Sequence, residues 1–315
     1  MPDYLHNHHE FKELLRAVEH QHNIESSLVE KDYWIMHVLY GLQKNEFLFE
    51  LKGGTSLSKG YGIIHRFSED IDIRIEPPAQ MNVKTGRNHD KPKHCESRKN
   101  YYDWLANNIQ IEGIDRVERD TDFDDKKYRS GGIRLYYKNT FTFADGVKEG
   151  ILLEVGFDNV APNTPLIISS WALDFAQKNN MEVLDNKACD VKCYHPGYTF
   201  VEKMQTVLTK FRQFQESGQL SPNFIRHYYD LACLLNVETV QDFIGTQEYL
   251  DHKECRFPDK DKELPVLKQE ALLLENVKTR KLFEREYNNT SALYYKGQIP
   301  FKEILDKISE YLDIL

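Results

Sequence analysis

The fold is decided by residues 51–75, which read LKGGTSLSKGYGIIHRFSEDIDIRI. At the end of this stretch, isoleucine alternates with a charged residue from Asp70 to Ile75. A period of two predicts a β-strand with one apolar and one polar face. Residues 47–52 predict another strand, which Gly53 and Gly54 end. The stretch therefore predicts two strands separated by a glycine turn and a loop.

Asp70 and Asp72 give the strongest chemical signal in this stretch. They occupy positions i and i+2 of the predicted strand, so their carboxylates share one face, roughly 6–7 Å apart at the Cα atoms. Carboxylates this close repel each other unless a cation lies between them. Oxygen ligands favour Mg²⁺ or Mn²⁺ over zinc. The alternative is an exposed edge strand of alternating charge, and the glycine turn upstream favours metal binding.

Gly53, Gly54 and Thr55 form the second signal. A glycine pair lets the backbone approach a phosphate closely and direct N–H groups toward it. Thr55 adds a hydroxyl, and a helix starting there would add the partial positive charge of its N-terminus. The turn therefore predicts a phosphate site beside the two carboxylates.

Glu154 is the candidate for a third metal-binding carboxylate. It lies in the predicted strand GILLEVGFD, residues 150–158, on the face opposite Leu153 and Val155. An acid inside such an apolar strand is costly unless it is paired or bound to a metal. A salt bridge to a lysine or arginine of the same sheet face is the alternative. A turn at Asp145-Gly146 is predicted to join this strand to the preceding one, near 132–137.

The remainder of the chain predicts an α+β protein of two domains. Residues 1–190 combine two N-terminal helices with a mixed sheet, and residues 191–315 are helical. Within the first domain, residues 79–100 predict a polar loop, residues 101–109 a helix, and the acidic run 112–125 a solvated loop or face. The predicted helices of the second domain lie at 198–216, 223–236, about 264–287 and about 300–313.

The second N-terminal helix carries charges beside its apolar stripe. Ser27 and Glu30 have the spacing of a capping box, which predicts the start of this helix. Lys31 and Asp32 lie close to the stripe, where unpaired charges are rare. We expect them to form salt bridges to the neighbouring domain, in preference to a catalytic role.

Lys203 and Lys210 are the candidate phosphate-binding cations. They are seven residues apart on the predicted helix at 198–216, so they lie within about 20° of each other beside its apolar stripe. Two ammonium groups there suit a triphosphate. Surface lysines with partly buried stems are the alternative, which the pattern favours for Lys210. On the next helix, Arg226 and Asp230 have the spacing of a local ion pair.

The composition excludes several classes of protein. The chain has 315 residues, of which 40% are hydrophobic and 29% charged, which is unlike a disordered or fibrous protein. The sequence contains no apolar run of the length that spans a bilayer and no secretory signal at its start. Five scattered cysteines fit a reducing cytosol better than a disulfide framework. We therefore expect a cytoplasmic protein without a membrane partner.

The net charge of -9 argues against a protein that coats nucleic acid by bulk charge, although it allows a local basic groove. Residues 79–100 carry six Lys or Arg against two acids, and residues 126–138 carry five and none. Tyrosines lie within or beside these segments. We hypothesise that they form a groove for a single-stranded RNA end. The tyrosines are Tyr101, Tyr102, Tyr128, Tyr136 and Tyr137.

The assembled motifs resemble the abortive-infection nucleotidyltransferase toxins of the AbiEii/AbiGii type, in the DNA-polymerase-β-like superfamily. The resemblance covers most of the chain between about residues 25 and 235, and its most specific part is the GGT…SEDID pair. The matching segments are VEKDYW (29–34), LKGGTSLSKGY (51–61), RFSEDIDI (66–73), VEKMQTVLTKF (201–211) and RHYYDL (226–231).

The resemblance implies roles for individual residues. Asp70 and Asp72 would bind the catalytic metals, and Gly53, Gly54 and Thr55 would hold the triphosphate. Lys52 and Ser68 would support the nucleotide and the loop. Lys203 matches the family's phosphate-binding lysine and Asp230 its late catalytic aspartate. The implied fold is a small mixed sheet with helices, plus a helical C-terminal domain that closes a nucleotide cleft.

The resemblance also implies a toxin with a cognate antitoxin protein. Some relatives transfer a nucleotide from an NTP to the 3′ end of tRNA, so we expect an RNA acceptor and a two-metal mechanism. Two other readings stay open. One is nucleotidyl transfer to a protein or a small molecule such as an aminoglycoside. The other is a catalytically idle module whose role is to bind its antitoxin.

Overall fold

The computed structural model describes residues 2–142 and 148–315, and the chain divides into two compact units. Unit 1 is Met1–Gly62 with Phe67–Tyr194, and unit 2 is Ile63–Arg66 with His195–Leu315. The predicted boundary at residue 190 therefore falls inside a strand, Ala188–Tyr194. The predicted turn at Asp145-Gly146 lies outside the described residues.

Unit 1 is built around a seven-stranded mixed sheet, which confirms the predicted α+β class. The strand order is β3-β4-β5-β2-β1-β7-β6. The β2/β5 and β1/β7 pairs are parallel, and the others are antiparallel. The strands are β1 (Phe49–Lys52), β2 (Asp70–Ile75), β3 (Ile114–Asp120), β4 (Ser130–Tyr137), β5 (Ile151–Gly156), β6 (Asn163–Ile168) and β7 (Ala188–Tyr194).

Helices pack against the sheet of unit 1 and make up most of unit 2. Of the helices among the described residues, none combines the length and the apolar character needed to cross a membrane. In unit 1 they are α1 (Phe11–His22), α2 (Ser26–Lys44), α3 (Gly53–Thr55, continued by a π-helical turn at Ser56–Gly60), α4 (Pro92–Asn108) and α5 (Trp171–Lys178). In unit 2 they are α6 (Pro196–Ser217), α7 (Arg226–Leu234), α8 (Glu238–Phe243), α9 (Gln247–Arg256), α10 (Asp259–Lys262), α11 (Glu270–Leu273), α12 (Val277–Asn288) and α13 (Phe301–Ser309).

The central strands have one apolar and one polar face, as their period of two predicts. Ile71, Ile73 and Leu153 are fully buried, while Asp70 and Asp72 alternate with the isoleucines and are partly exposed. The burial of the apolar face provides most of the hydrophobic stabilisation of the sheet. The carboxylates of Asp70 and Asp72 lie on the opposite, polar face.

Helix α4 packs on the apolar face, and this corrects part of the acceptor-groove hypothesis. Gly131 of β4 leaves the space in which the ring of Tyr102 lies, and the Tyr102 hydroxyl donates a hydrogen bond to the Val155 carbonyl (3.4 Å). Tyr101 and Tyr102 are fully buried, and Tyr137 is 5% exposed. These three rings belong to the core, so the prediction that they stack on RNA bases is wrong.

Two elements differ from the prediction because charged residues mask their pattern. Strand β3 carries acidic residues, and its Asp120 binds Arg134 of β4 at 2.6 Å. Helix α4 begins at Pro92, nine residues before the predicted start at Tyr101. Proline is well suited to the first turn of a helix, but the lysines around it suggested a loop.

The predicted capping box of α2 is also wrong. The helix begins at Ser26, and Glu25 precedes it. The carboxylate of Glu30 instead accepts hydrogen bonds from the backbone N–H groups of Thr140 (2.7 Å) and Phe141 (3.0 Å). A glutamate at this spacing therefore ties the helix to a distant segment.

Two histidines near the N-terminus, the buried His37 and the partly buried His6, make unit 1 sensitive to acid. His37 bonds to the Glu112 carbonyl and to Asn186, and His6 bonds to the Tyr33 hydroxyl. Burial lowers the pKa of both histidines to about 4. Below pH 6.5 the unfolded chain therefore takes up protons that the folded chain does not, so stability falls as the pH falls from 6.5 toward 4.

We expect His37→Gln to reduce this pH dependence. At pH 5, His37 alone costs about 2 kcal/mol of the free energy of unfolding relative to pH 7.5, from a shift of this size. Urea denaturation of the two proteins at both pH values measures the difference. His9→Gln, at an exposed position, is the control. Equal pH dependence in wild type and His37→Gln would contradict the assignment.

Candidate nucleotide and metal site

The glycine turn and the two-aspartate strand are packed directly against each other in unit 1. Gly53 has a φ of +72°, in the left-handed region that favours glycine. A Cβ atom at this position would overlap Oδ2 of Asp72 and lie 2.9 Å from its Cγ. The backbone of the turn therefore lies against the Asp72 carboxylate, and the close approach requires glycine.

Thr55 joins the same two segments by a second contact. Its hydroxyl donates a hydrogen bond to the Asp70 carbonyl (2.6 Å), and the residue is 1% exposed. In this structure the hydroxyl holds the turn to the start of β2. Gly54 is buried beside it, and Ser68 is partly exposed two residues before Asp70.

The register of the sheet brings Glu154 next to Asp72. Asp72 of β2 pairs with Glu154 of parallel strand β5, and Lys52 of β1 pairs with Asp72 on the other side. Residues paired in this way lie on the same face of a sheet. Asp70, two residues along β2, shares that face. The polar face thus carries Asp70, Asp72, Glu154 and Lys52 close together on three adjacent strands.

The donor set suits a hard divalent cation, because it consists of carboxylate oxygens. The side chains do not converge on one point in this structure. Among residues 2–142 and 148–315, no group of three or more His, Cys, Asp or Glu is arranged to hold a metal ion. The backbone register nevertheless makes Asp72 and Glu154 direct neighbours, with Asp70 two residues along the same strand.

Lys31 and Asp32 have salt-bridge partners within unit 1, whereas the sequence suggested partners in the neighbouring domain. The Lys31 ammonium lies 3.7 Å from a Glu69 carboxylate oxygen, and Asp32 accepts a hydrogen bond from Lys59 at 2.8 Å. Glu69 adjoins Asp70, and Lys59 lies in the turn that follows Thr55. Both charges therefore reach the segments that carry the candidate site.

In unit 2, Asp230 is the centre of a buried charge cluster. It is fully buried, and its two carboxylate oxygens accept hydrogen bonds from the Nε and Nη2 atoms of Arg66, both at 2.7 Å. Lys203 Nζ lies 2.6 Å from Oδ2 of the same carboxylate. The sequence predicted a local ion pair between Asp230 and Arg226. The principal contacts of Asp230 are instead Arg66 and Lys203, which come from other segments.

The electrostatics of this cluster keep Asp230 ionised. Burial alone would raise the pKa of Asp230, but the charges of Arg66 and Lys203 hold it well below its ordinary value. Such a carboxylate is a poor general base. Its contact with Lys203 instead suits a role in holding the lysine side chain in one orientation. Burial lowers the pKa of Lys203, and the attraction of Asp230 opposes that effect. Lys210, seven residues further along α6, is partly exposed.

Arg66 is the functional candidate that sequence reasoning missed. It belongs to the quoted motif RFSEDIDI. An arginine in this motif does not by itself reveal a buried bidentate contact to Asp230, which lies 164 residues later in the chain. Burial opposes its charge, yet Asp230 raises the pKa of Arg66 above its ordinary value. The segment around it is fixed within unit 2, because the backbone N–H of His65 donates a hydrogen bond to the Tyr229 hydroxyl (3.1 Å) and the Tyr295 hydroxyl donates one to the Ile64 carbonyl (3.2 Å).

Comparison with known proteins assigns the family. A family model described as "Nucleotidyl transferase AbiEii toxin, Type IV TA system" matches residues 38–307. The chain belongs to this family. The match confirms the predicted family and the enzyme class, nucleotidyltransferase, and it includes every residue proposed above for the site.

A solved structure is also similar to the AbiEii-family chain. It is titled "Crystal structure of an antigenic nucleotidyltransferase-like protein from Paracoccidioides brasiliensis". Its sequence is 11% identical, the similarity covers 72% of this chain and 94% of that chain, and the TM-score is 0.34. No curated protein matches the chain.

Proposed function

We propose that the protein is a toxin that transfers a nucleotide from an NTP to the 3′ end of an RNA, with tRNA as the expected acceptor. The observation that carries the proposal is the packing of Gly53 on the Asp72 carboxylate. It joins a turn suited to phosphate and a strand suited to a cation in one place. The membership of the AbiEii nucleotidyltransferase family supports this reading of the chemistry.

Asp70, Asp72 and Glu154 would hold Mg²⁺ or Mn²⁺, which fits an oxygen-only donor set. The metal, when bound, would lower the pKa of the attacking hydroxyl and neutralise the departing pyrophosphate. Gly53, Gly54 and Thr55 would bind the phosphates through the backbone, with Lys52 and Ser68 beside them. These roles make the carboxylates the residues whose loss should abolish transfer.

Lys203 would stabilise charge on the phosphates during transfer. Asp230 would act through Lys203 and Arg66, because its carboxylate is buried and bound to both. Lys210 is the weaker phosphate candidate, since its partial exposure also fits an ordinary surface lysine.

A basic lobe in unit 1, residues 84–99 and 126–129, supports an RNA acceptor. The buried guanidinium of Arg98 holds its two segments together, and Asp90 binds Lys127 (2.8 Å) and Arg129 (2.5 Å). The charge of Asp90 is thereby neutralised, while Lys91, Lys93 and Lys126 are exposed. Such a surface suits an RNA backbone. The carbonyl oxygens that Arg98 binds are those of Lys84, His89 and Lys127.

We expect the triple variant Lys91→Glu, Lys93→Glu, Lys126→Glu to raise the KM for RNA at least tenfold. The reason is that three phosphate contacts are lost and repulsion is gained. The salt dependence of the KM should also become weaker, while the KM for the NTP stays unchanged. Steady-state kinetics at several salt concentrations measure both effects. The control reverses three exposed lysines of unit 2, Lys260, Lys268 and Lys302; equal behaviour of the two triple variants would remove the lobe from the acceptor site.

The acceptor class is tested by incubation of the protein with a cell extract, Mg²⁺ and each α-³²P-labelled NTP. We expect the label on RNA of tRNA size, sensitive to RNase. Label on a protein band or a small molecule would support those acceptors instead. Toxicity in cells that persists in Asp70→Ala would support the idle antitoxin-binding module.

We further propose that a cognate antitoxin counteracts the protein, since the description of the family names a toxin–antitoxin system. Co-expression with the genes adjacent to its own is the direct test. Restored growth with one neighbouring gene would identify the antitoxin.

A further inference from the structure

Three consecutive charged residues of α2 are buried. Glu30, Lys31 and Asp32 are 2%, 1% and 3% exposed. A buried charge costs several kcal/mol unless it is paired and hydrogen-bonded. Each of the three has partners in a different segment of unit 1, and two of those segments carry the candidate site.

Asp32 fixes the helical segment that begins at the glycine turn. Its carboxylate accepts hydrogen bonds from Lys59 (2.8 Å and 3.0 Å) and from the backbone N–H of Trp171 (2.9 Å). Lys59 also lies over the Trp171 ring, 4.2 Å from its centre. Gly53 is at one end of the segment 53–60 and Lys59 is near the other, so Asp32 anchors the end that is remote from Asp72.

Lys31 fixes the segment that leads into β2. Its ammonium donates a hydrogen bond to the Lys148 carbonyl (2.7 Å) and lies 3.7 Å from Glu69. Burial lowers the pKa of Lys31, and the charges of Glu69 and Asp70 oppose that effect. A buried positive charge is thus held beside the first carboxylate of the candidate metal site.

Glu30 provides a matched control in the same helical turn. It is as deeply buried as its neighbours, but it binds the backbone of Thr140 and Phe141. Neither residue belongs to the glycine turn or to β2. A substitution of Glu30 therefore disturbs the packing of α2 without releasing a segment of the site.

We propose that Lys31 and Asp32 are positioning residues for nucleotidyl transfer. Asp32, through Lys59, holds the glycine turn in its place, and Lys31, through Glu69, holds Asp70. The proposal rests on the proposed transfer function. Because the two residues act on different segments, their loss should affect different kinetic parameters.

The first test measures local structure and does not depend on activity. Hydrogen exchange of the full chain is followed in wild type, Asp32→Asn, Lys31→Met and Glu30→Gln. We expect exchange of segment 53–60 to accelerate at least tenfold in Asp32→Asn, and exchange of 69–75 to accelerate likewise in Lys31→Met. In Glu30→Gln neither segment should change by more than twofold. Uniform acceleration in all three variants would overturn the proposal.

The second test uses the transfer assay with wild-type activity as its reference. Asp32→Asn should raise the KM for the NTP at least fivefold with a smaller effect on kcat. Lys31→Met should lower kcat at least tenfold with little change in KM. Inactive wild type would refute the proposed function, and the exchange experiment would still decide the positioning roles.

Partner variants keep the test valid if a buried substitution prevents folding. Lys59→Met should reproduce the effects of Asp32→Asn, and Glu69→Gln those of Lys31→Met. Lys59 and Glu69 side chains are 10% and 11% exposed, so their replacement disturbs the core less. The double variant Asp32→Asn/Lys59→Met should be no worse than either single one. Additive losses would show that the pair does not act as a unit.

Discussion

Gly53→Ala is expected to lower nucleotidyl transfer at least a hundredfold while the protein stays folded. Alanine at a φ of +72° costs about 1 kcal/mol of conformational energy. The larger effect is local, because the new methyl group would occupy the space of the Asp72 carboxylate. The carboxylate or the turn must move, and either movement separates the phosphate site from the metal site. Initial rates with a saturating NTP and RNA measure the loss.

Gly218→Ala is a closely matched control. Gly218 has the same φ of +72°, but nothing lies within 4 Å of the position of its added Cβ. It therefore shares the backbone strain and lacks the overlap. We expect the backbone strain to lower the thermal stability of both variants, with the overlap adding to the loss in Gly53→Ala, and a loss of activity only in Gly53→Ala. Near-normal activity of Gly53→Ala would contradict the contact between the turn and Asp72.

Asp230→Asn is expected to lower the free energy of unfolding of unit 2 by about 3–5 kcal/mol. The removal of one partner from a buried ion pair leaves uncompensated charge in the interior, and here Arg66 and Lys203 both lose their counterion. Because the pKa of Asp230 is lowered, this contribution is present at neutral pH and is lost only on acidification below the ordinary aspartate pKa. Urea denaturation at pH 7.5 measures the effect.

The comparison for this variant is Asp261→Asn. Asp261 is buried and binds Arg212 at 2.7 Å, but the Arg212 side chain is 26% exposed and can be hydrated once its partner is lost. We expect a smaller loss of stability there. A loss below about 1 kcal/mol in Asp230→Asn would mean that the cluster is not the buried ion network described above.

The sequence predicted the parts of the site in which local pattern and chemistry agree. Strand β2 has the predicted limits, Asp70–Ile75. Isoleucine and charged residues alternate strictly over this stretch, so the pattern identifies both the strand and its buried face. The placement of Glu154 opposite its apolar neighbours also agrees with the structure, since a strand has a period of two. Its pairing with Asp72 depends on the parallel β2/β5 register, which no local pattern determines.

The parts that escaped prediction depend on contacts between distant segments. Strand β3 resembles a charged loop, because its acids are compensated by arginines of its own sheet, such as Arg134. Tyr101 and Tyr102 are spaced like surface aromatics in a basic region, but α4 directs them into the core. Lys31 and Arg66 were recognised as parts of motifs, while their partners lie too far along the chain for spacing to identify them.

The central claim is that the polar face with Asp70 and Asp72 transfers nucleotides to RNA. The most direct measurement incubates the wild type and the Asp70→Ala/Asp72→Ala variant with total tRNA, Mg²⁺ and each α-³²P-labelled NTP in turn. The account predicts label on RNA with the wild type for at least one NTP, and none with the variant. Equal labelling by both proteins, or no labelled RNA with the wild type, would contradict it.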